Sequence, residues 1–319
     1  IRVGWCLKNI NDGMLNEWIK WSKQSYKFVD GECEKVWSQG KDDGGLTMGT
    51  LHFWAKNDSP SKYKRYTTTR LNECVKTALS GKSYDVANIA YTKYKGQFVC
   101  ASVEKRVWYY FDNHRWHLDD GGNKLYRTIS KEIYADILNY ISTIAKQSAG
   151  TDENDDRDTL EKLLKKGVAL ANQVKDAGFK SKVMTELANL MYVDKFIDRL
   201  DERHNLLGFN NGIYDLDAGV FRDGLIDDMV SMTVGYDYTD VVDKKIRDGL
   251  MEFFTSIQDT EETRDYLLDT MAIDLYGDIK KKEWIVFWIG NGGNGKSIVA
   301  LLQSGAFGDY MYNPAIEIF

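Results

Sequence analysis

Proline is almost missing from this chain. Two occur in 319 residues, where average usage of roughly 5% would supply about 16. Lysine outnumbers arginine 30 to 12. Together these biases fit an AT-rich coding sequence and carry no functional information. Cysteine is also scarce. Cys6, Cys33, Cys74 and Cys100 lie far apart and no CxxC pair occurs, so neither a zinc framework nor a redox motif is readable. A reduced, intracellular setting is the natural expectation. No run of 18 apolar residues exists, which argues against a membrane-spanning helix. There is also no initiator methionine and no signal peptide ahead of the folded pattern. Residue 1 is Ile, and most chemically informative residues fall within the last 30. The chain therefore reads as a piece of something longer.

What is present is ordinary for a folded protein. An apolar fraction of 43% with 28% charged residues excludes disorder as the main state. At about 100–200 residues per domain, the length predicts two domains and part of a third. The net charge of −6 hides an asymmetry. Lys56 to Arg106 holds 11 basic and 4 acidic residues, whereas Asp194 to Asp278 holds 8 basic and 21 acidic. An acidic total does not exclude nucleic-acid binding, because the binding field is local.

Residues 1–57 read as a small helical module. Leu15, Trp18, Ile19 and Ser22 share a helix face with Trp21 beside it. A second helix carries Cys33, Val36 and Trp37, and a third Leu51, Phe53, Trp54 and Ala55. A compact tryptophan-rich core is the plain reading. Residues 58–83 read as a basic linker, with Ser59-Pro60 as a break. Within it, SKYKRYTTTR interleaves Tyr63 and Tyr66 with Lys62, Lys64 and Arg65. Such a pattern suits either a solvated linker or a strand of nucleic acid, with cations on phosphates and rings on bases. Gly81-Lys82-Ser83 is no phosphate loop, since Lys76 stands where the first glycine belongs and no strand precedes it.

Residues 84–257 read as an α+β domain. A helix over Tyr84–Tyr94 precedes strands at Gln97–Ala101, Arg106–Phe111 and Arg115–Leu118. Ile129, Ile133, Ile137, Ile141 and Ile144 then recur at helical spacing. His114 and His117 sit on a hairpin pattern without a third ligand, which does not suit a metal. Residues 151–158 read as an acidic loop, with helices at 159–176, 181–192 and 194–200. Asn211-Gly212 and Asp217-Ala218-Gly219 mark turns of a small β-hairpin region, and turn chemistry explains its aspartates more simply than cation binding. Helices near 240–257 and 261–276 follow.

The strongest motif lies near the end. Trp284–Ile289 is a continuous apolar run, the pattern of a strand buried on both faces. It leads into GNGGNGKS, Gly290 to Ser297, and Ile298, Val299, Leu301 and Leu302 continue as a helix. This is GxxxxGKS/T in the strand–loop–helix setting the motif requires. The bare pattern arises by chance in roughly 1% of chains this long. Gly290, Gly292, Gly293 and Gly295 permit backbone conformations closed to other residues and let amides approach phosphate oxygens. Asn291 belongs to the same loop, and Asn294 can fix it by local hydrogen bonding. The helix start adds its dipole. Lys296, the one residue assigned a catalytic role, is expected on the β- and γ-phosphates of ATP, and the Ser297 hydroxyl on Mg²⁺. Hydrolysis needs a second carboxylate and a water-positioning group as well. Asp309 and Glu317 follow the loop, but neither ends an apolar strand, so a chain bounded here is expected to hydrolyse little ATP.

The order of segments resembles the superfamily-three helicases, in particular the primase–helicases of poxviruses, giant DNA viruses and certain phages. GNGGNGKS is similar to their first nucleotide-binding motif. SYDVANIAYTKYKGQFVCASVEKRVWYYFDNHRWHLDD, LLGFNNGIYDLDAGVFRDG and IDDMVSMTVGYDY are similar to the domain that precedes the helicase core. GWCLKNI, NEWIKWS and LTMGTLHFWAK resemble the small helical module that follows an archaeo-eukaryotic-type primase domain. The resemblance implies an α+β, mostly helical, multi-domain chain: the module at 1–57, the linker at 58–83, the pre-helicase domain at 84–257, and at 258–319 the first strand, P-loop and helix of an α/β NTPase. It further implies an ATP- and Mg²⁺-dependent DNA helicase of viral replication. Its subunits would assemble as a hexameric ring on single-stranded or forked DNA, with no membrane partner. The primase carboxylates and the later helicase motifs would lie outside this sequence.

Two other readings stay open. The chain could serve as a non-catalytic oligomerisation and DNA-guiding collar, its basic and acidic stretches meeting between subunits. A small-molecule kinase could use the same loop, although such enzymes usually carry it near the start of the domain.

Overall fold

The computed structural model describes residues 2–39, 48–149, 154–277, 286–290 and 292–312. The chain divides into two units, residues 1–111 with 117–197, and residues 112–116 with 198–319. It is a mostly helical α+β chain, with two small three-stranded sheets among the described residues.

The first unit opens with α1 (Arg2–Ile10), α2 (Leu15–Ser22), α3 (Glu32–Gln39) and α4 (Met48–Asp58). Leu7, Trp18, Cys33 and Trp37 are buried together, the two indole rings 5.7 Å apart. The absent side chain of Gly4 lets α1 approach α2, since a Cβ there would enter the Trp18 ring. Trp21 departs from the expected tryptophan core and is 53% exposed. It lies off the Leu15–Trp18–Ile19 stripe, in the last turn of α2.

Residues 60–78, read from sequence as part of a linker, form one helix, α5 (Pro60–Ala78), with proline in its first turn. Its second half buries Val75 and Ala78 in the main core, while Lys62, Lys64, Arg65 and Tyr66 in its first half stay exposed. Tyr63 Oη lies 3.2 Å from His52 Nδ1 on α4. Burial, aided by Lys95 and Arg70, holds His52 below its ordinary value of 6.5. The unfolded chain therefore takes up this proton first as pH falls. The resulting stability is present above about pH 6.5 and is lost below it. Thermal melts between about pH 7.5 and 5.5 should show a smaller acid-induced fall for His52→Gln than for wild type. Parallel pH profiles would remove His52 from the account.

The main core joins α6 (Ser83–Tyr94), β1 (Phe98–Ser102), β2 (Val107–Asp112), β3 (Arg115–Asp119), α7 (Asn123–Thr128), α8 (Tyr134–Ala149), α9 (Asn154–Lys175) and α10 (Ala177–Leu190). The strands lie in the order β1-β2-β3, and β1 pairs antiparallel with β2. Ile129, Ile133 and Ile137 are fully buried, as their spacing predicts. A π-helical turn at Ile129–Ile133 links α7 to α8.

Two expectations fail here. Within the acidic stretch 151–158, residues 154–158 are helical and open α9; acidic residues suit a helix N-terminus. Residues 151–153 lie outside the described residues. The helix expected at 194–200 is only a 3₁₀ turn at Ile197–Arg199. Lys195 and Asp201 bracket it at φ 51° and 58°, conformations that no helix continues through.

The second unit contains the meander β4 (Leu206–Phe209), β5 (Gly212–Asp215) and β6 (Val220–Arg222). It is antiparallel throughout, with Phe209 opposite Gly212 and Ile213 opposite Arg222. Both expected turns are present. The Asp215 carboxylate accepts the amides of Asp217 and Ala218 at 3.1 and 3.2 Å, which is turn chemistry. Helices α11 (Lys244–Ser256), α12 (Glu261–Asp274) and α13 (Lys296–Phe307) follow. The strand expected over Trp284–Ile289 is not seen. Residues 286–290 carry no strand pairing, Ile289 is 92% exposed, and Trp284 and Ile285 lie outside the described residues. A strand buried on both faces needs neighbouring strands and covering layers. Among the described residues of this unit, the only sheet is the meander.

Candidate nucleotide-binding site

The loop before α13 is shaped by two glycines. Gly293 and Gly295 adopt φ of 81° and 83°, open to glycine at little cost. Gly295 caps α13, and its carbonyl accepts the amides of Ile298 and Val299 at 3.0 Å each. A Cβ at Gly295 would meet Ile257 at 2.6 Å, one at Gly290 would overlap the Asn294 amide, and at Gly292 and Gly293 nothing lies within 4 Å. The first and last glycines thus permit close packing, while the middle pair leaves the loop's open side uncovered. The Lys296 ammonium folds back across the loop, donating to the Gly290 carbonyl at 3.0 Å and the Asn294 side-chain oxygen at 2.6 Å. Ser297 is exposed beside it in the first turn of α13. Asn291 lies outside the described residues. The remaining predicted loop residues are brought together at one helix N-terminus, where first-turn amides have no partner within the helix.

The segment that follows the meander, residues 232–236, seats the other end of α13. Tyr236 Oη donates to the Ala306 carbonyl at 2.8 Å. The Asp309 carboxylate accepts the Thr233 amide at 3.1 Å, and the Asp309 amide donates to the Thr233 carbonyl at 3.0 Å. Asp309 is thus engaged in anchoring, and Glu317 lies outside the described residues. Gly308 has φ 53°, and a Cβ there would lie 2.6 Å from the Val234 carbonyl oxygen. Tyr310 Oη accepts the Gly208 amide at 2.8 Å and donates to the Met232 carbonyl at 3.2 Å; burial pushes this phenol up to about 12. Midway along α13, the buried Gln303 reaches Asp274 of α12 at 3.5 Å. None of these supporting residues is legible in the motif. The signal lay in Gly308-Asp309-Tyr310, a turn cluster directly after the helix.

The histidine pair is used otherwise. His114 Nδ1 accepts the Gly224 amide at 3.1 Å, and His117 stacks on Tyr110 at 5.1 Å. Among the described residues no group of three or more His, Cys, Asp or Glu side chains could hold a metal ion, and no helix is long and apolar enough to cross a membrane.

A mostly helical α+β chain in which the segment after a β-meander seats the helix behind a glycine-rich loop is the class of molecule these features define. The profile of the family described as "D5 N terminal like" matches residues 87–288, more than half of the chain, and the chain belongs to this family. A second profile, "Primase C terminal 2", matches residues 1–55. Among similar proteins is one of Acanthamoeba polyphaga mimivirus, 31% identical over 98% of this chain and 33% of its own length. Another, of Frog virus 3, is 27% identical over 75% of this chain and 27% of its own length. A third, of Invertebrate iridescent virus 6, is 24% identical over 96% and 37% respectively. Each carries the name "Putative helicase". The chain spans about a third of the length of these curated relatives.

Proposed function

We propose that this chain is part of a virus-encoded, ATP-dependent DNA helicase of the primase–helicase type, with subunits assembled as a ring, and that Gly290–Ser297 binds ATP with Mg²⁺. The observation that carries the reading is the Lys296 ammonium, held over an uncovered glycine loop at the start of a 12-residue helix. Loop amides and helix dipole suit phosphate oxygens. Lys296 adds a mobile point charge. The residues present fit the nucleotide, since the space where a Cβ would stand at Gly292 or Gly293 is open for 4 Å and Ser297 is exposed next to Lys296. When bound, Mg²⁺ supplies charge neutralisation between the terminal phosphates. The names carried by the viral relatives add support.

The test is DNA-stimulated ATP hydrolysis by the full-length protein containing this chain, with Lys296→Ala beside it. Equal rates in the two would end the assignment. A finer check concerns the metal. Ser297→Ala should bind an ATP analogue about as well as wild type in EDTA but lose most of the tightening that wild type shows on adding Mg²⁺. An unchanged Mg²⁺ dependence would remove Ser297 from metal binding.

A further inference from the structure

A groove of about 800 Å³ in the first unit is lined by four aromatic side chains, Trp21, Trp54, Tyr63 and Tyr66, together with Leu51. Two of these rings stand in solvent, with Trp21 and Tyr66 each 53% exposed. Cations accompany the rings. Lys62 lines the groove, the Arg2 guanidinium sits 5.9 Å from the Trp54 ring centre, and Arg70 donates to Tyr66 Oη at 3.2 Å. Asp58 is the one carboxylate among the lining residues. From Lys56 to Lys76 the sequence holds six basic and two acidic residues.

The combination selects its occupant. An apolar helix would cover the rings but strip water from the cations without pairing them. An acidic peptide would pair the cations and leave the rings without stacking partners. A single nucleic-acid strand uses both, placing base faces on aromatic rings and phosphates on lysine and arginine. A duplex keeps its bases stacked inside and cannot offer them. The helix hairpin α4–α5 presents Trp54, Lys62, Tyr63 and Tyr66 from regular secondary structure. Tyr63 is fixed further by its contact with His52. Lys62, Tyr63 and Tyr66 fall between residues 1–55 and 87–288, the parts matched by the two family profiles.

We propose that this groove binds single-stranded DNA, with Tyr66 and the exposed Trp21 stacking on bases and Lys62 neutralising a phosphate. The inference rests on the reading of the chain as part of a DNA helicase and locates a strand-binding surface remote in sequence from the nucleotide loop.

Fluorescence anisotropy of an end-labelled oligodeoxythymidylate, titrated with the 319-residue chain at low salt, tests it. Wild type should bind this strand more tightly than a duplex of equal length. Tyr66→Ala should weaken binding about tenfold, while Tyr66→Phe, which keeps the ring, should bind nearly as wild type. Lys62→Ala should weaken binding and reduce the slope of log affinity against log salt by about one. Tyr66 and Lys62 are exposed, so circular dichroism melts should not move. The groove proposal is overturned if wild type ignores the strand, if Tyr66→Ala and Lys62→Ala bind like wild type, or if duplex binds equally well. Binding of a fluorescent ATP analogue, measured on the same preparations, reports the nucleotide loop separately and so distinguishes failure of the groove from failure of the parent reading.

Discussion

Lys296→Ala is expected to weaken binding of a fluorescent ATP analogue by about 10–150-fold while leaving the melting temperature within about 2 °C of wild type. The first figure follows from the contribution of a hydrogen bond to a charged group, about 1.5–3 kcal/mol, at about 1.4 kcal/mol per tenfold. The second follows from the position of the side chain. Lys296 donates to the Gly290 carbonyl and the Asn294 oxygen, both at exposed sites where water can replace it, and surface substitutions of this kind usually stay within about 0.5 kcal/mol. The split matters because it separates binding from folding. A variant that lost nucleotide affinity and stability together would mark Lys296 as a structural clasp of the loop. Unchanged affinity would mean that the loop does not hold phosphate through this residue.

Periodicity carried the interior of the first unit. The isoleucines at 129, 133 and 137 repeat at helical spacing, and each is fully buried. The turn residues around Asn211-Gly212 and Asp217-Ala218-Gly219 likewise marked the meander, because their chemistry is local. Local pattern failed where the outcome depends on distant partners. Residues 286–289 are as apolar as any buried strand, yet they pair with no strand, since pairing depends on neighbours that one segment does not specify. The basic stretch after Ser59 is polar enough to look like a linker. It is helical because its far end buries Val75 and Ala78, residues that lie beyond the charged half. The glycine-rich loop before α13 was legible as a loop from its glycines. Its support was not: Tyr236, Gly308 and Tyr310 join the region after α13's start to β4 and residues 232–236 across long sequence separations, at 70 residues for Tyr236 and Ala306.

Asp228→Ala is expected to destabilise the second unit by about 2–3 kcal/mol, less than the roughly 3–5 kcal/mol of a fully buried ion pair because the Arg222 side chain is 32% exposed. The Asp228 side chain is only 4% exposed. It accepts a two-pronged contact from Arg222 at 2.7 and 2.8 Å and the Leu225 amide at 2.7 Å. Arg222 is held further above its ordinary value chiefly by this hydrogen bond. Alanine therefore removes both carboxylate contacts of a half-buried guanidinium, which keeps the Asp223 carbonyl at 3.0 Å, and takes the carboxylate acceptor from the Leu225 amide. Much of the loss is the penalty of the stranded charge rather than the worth of the pair. The double variant Arg222→Met/Asp228→Leu should accordingly recover a large part of it, and failure to recover would show that the Leu225 amide dominates. Hydrogen exchange of the β5 amides is the suitable readout, because a chain of two units need not unfold in one step. The consequence reaches the proposed nucleotide loop through the chain itself. The turn that Asp228 ties down leads through Val230 to Thr233 and Val234, whose backbone receives Asp309 and Gly308 at the end of α13. Loosening that turn loosens the seat of the helix that carries Lys296. Asp228→Ala should thus lower nucleotide affinity as well as stability, and saturating nucleotide should restore part of the lost protection by mass action. Protection that falls with no response to nucleotide would separate the meander from the loop it supports.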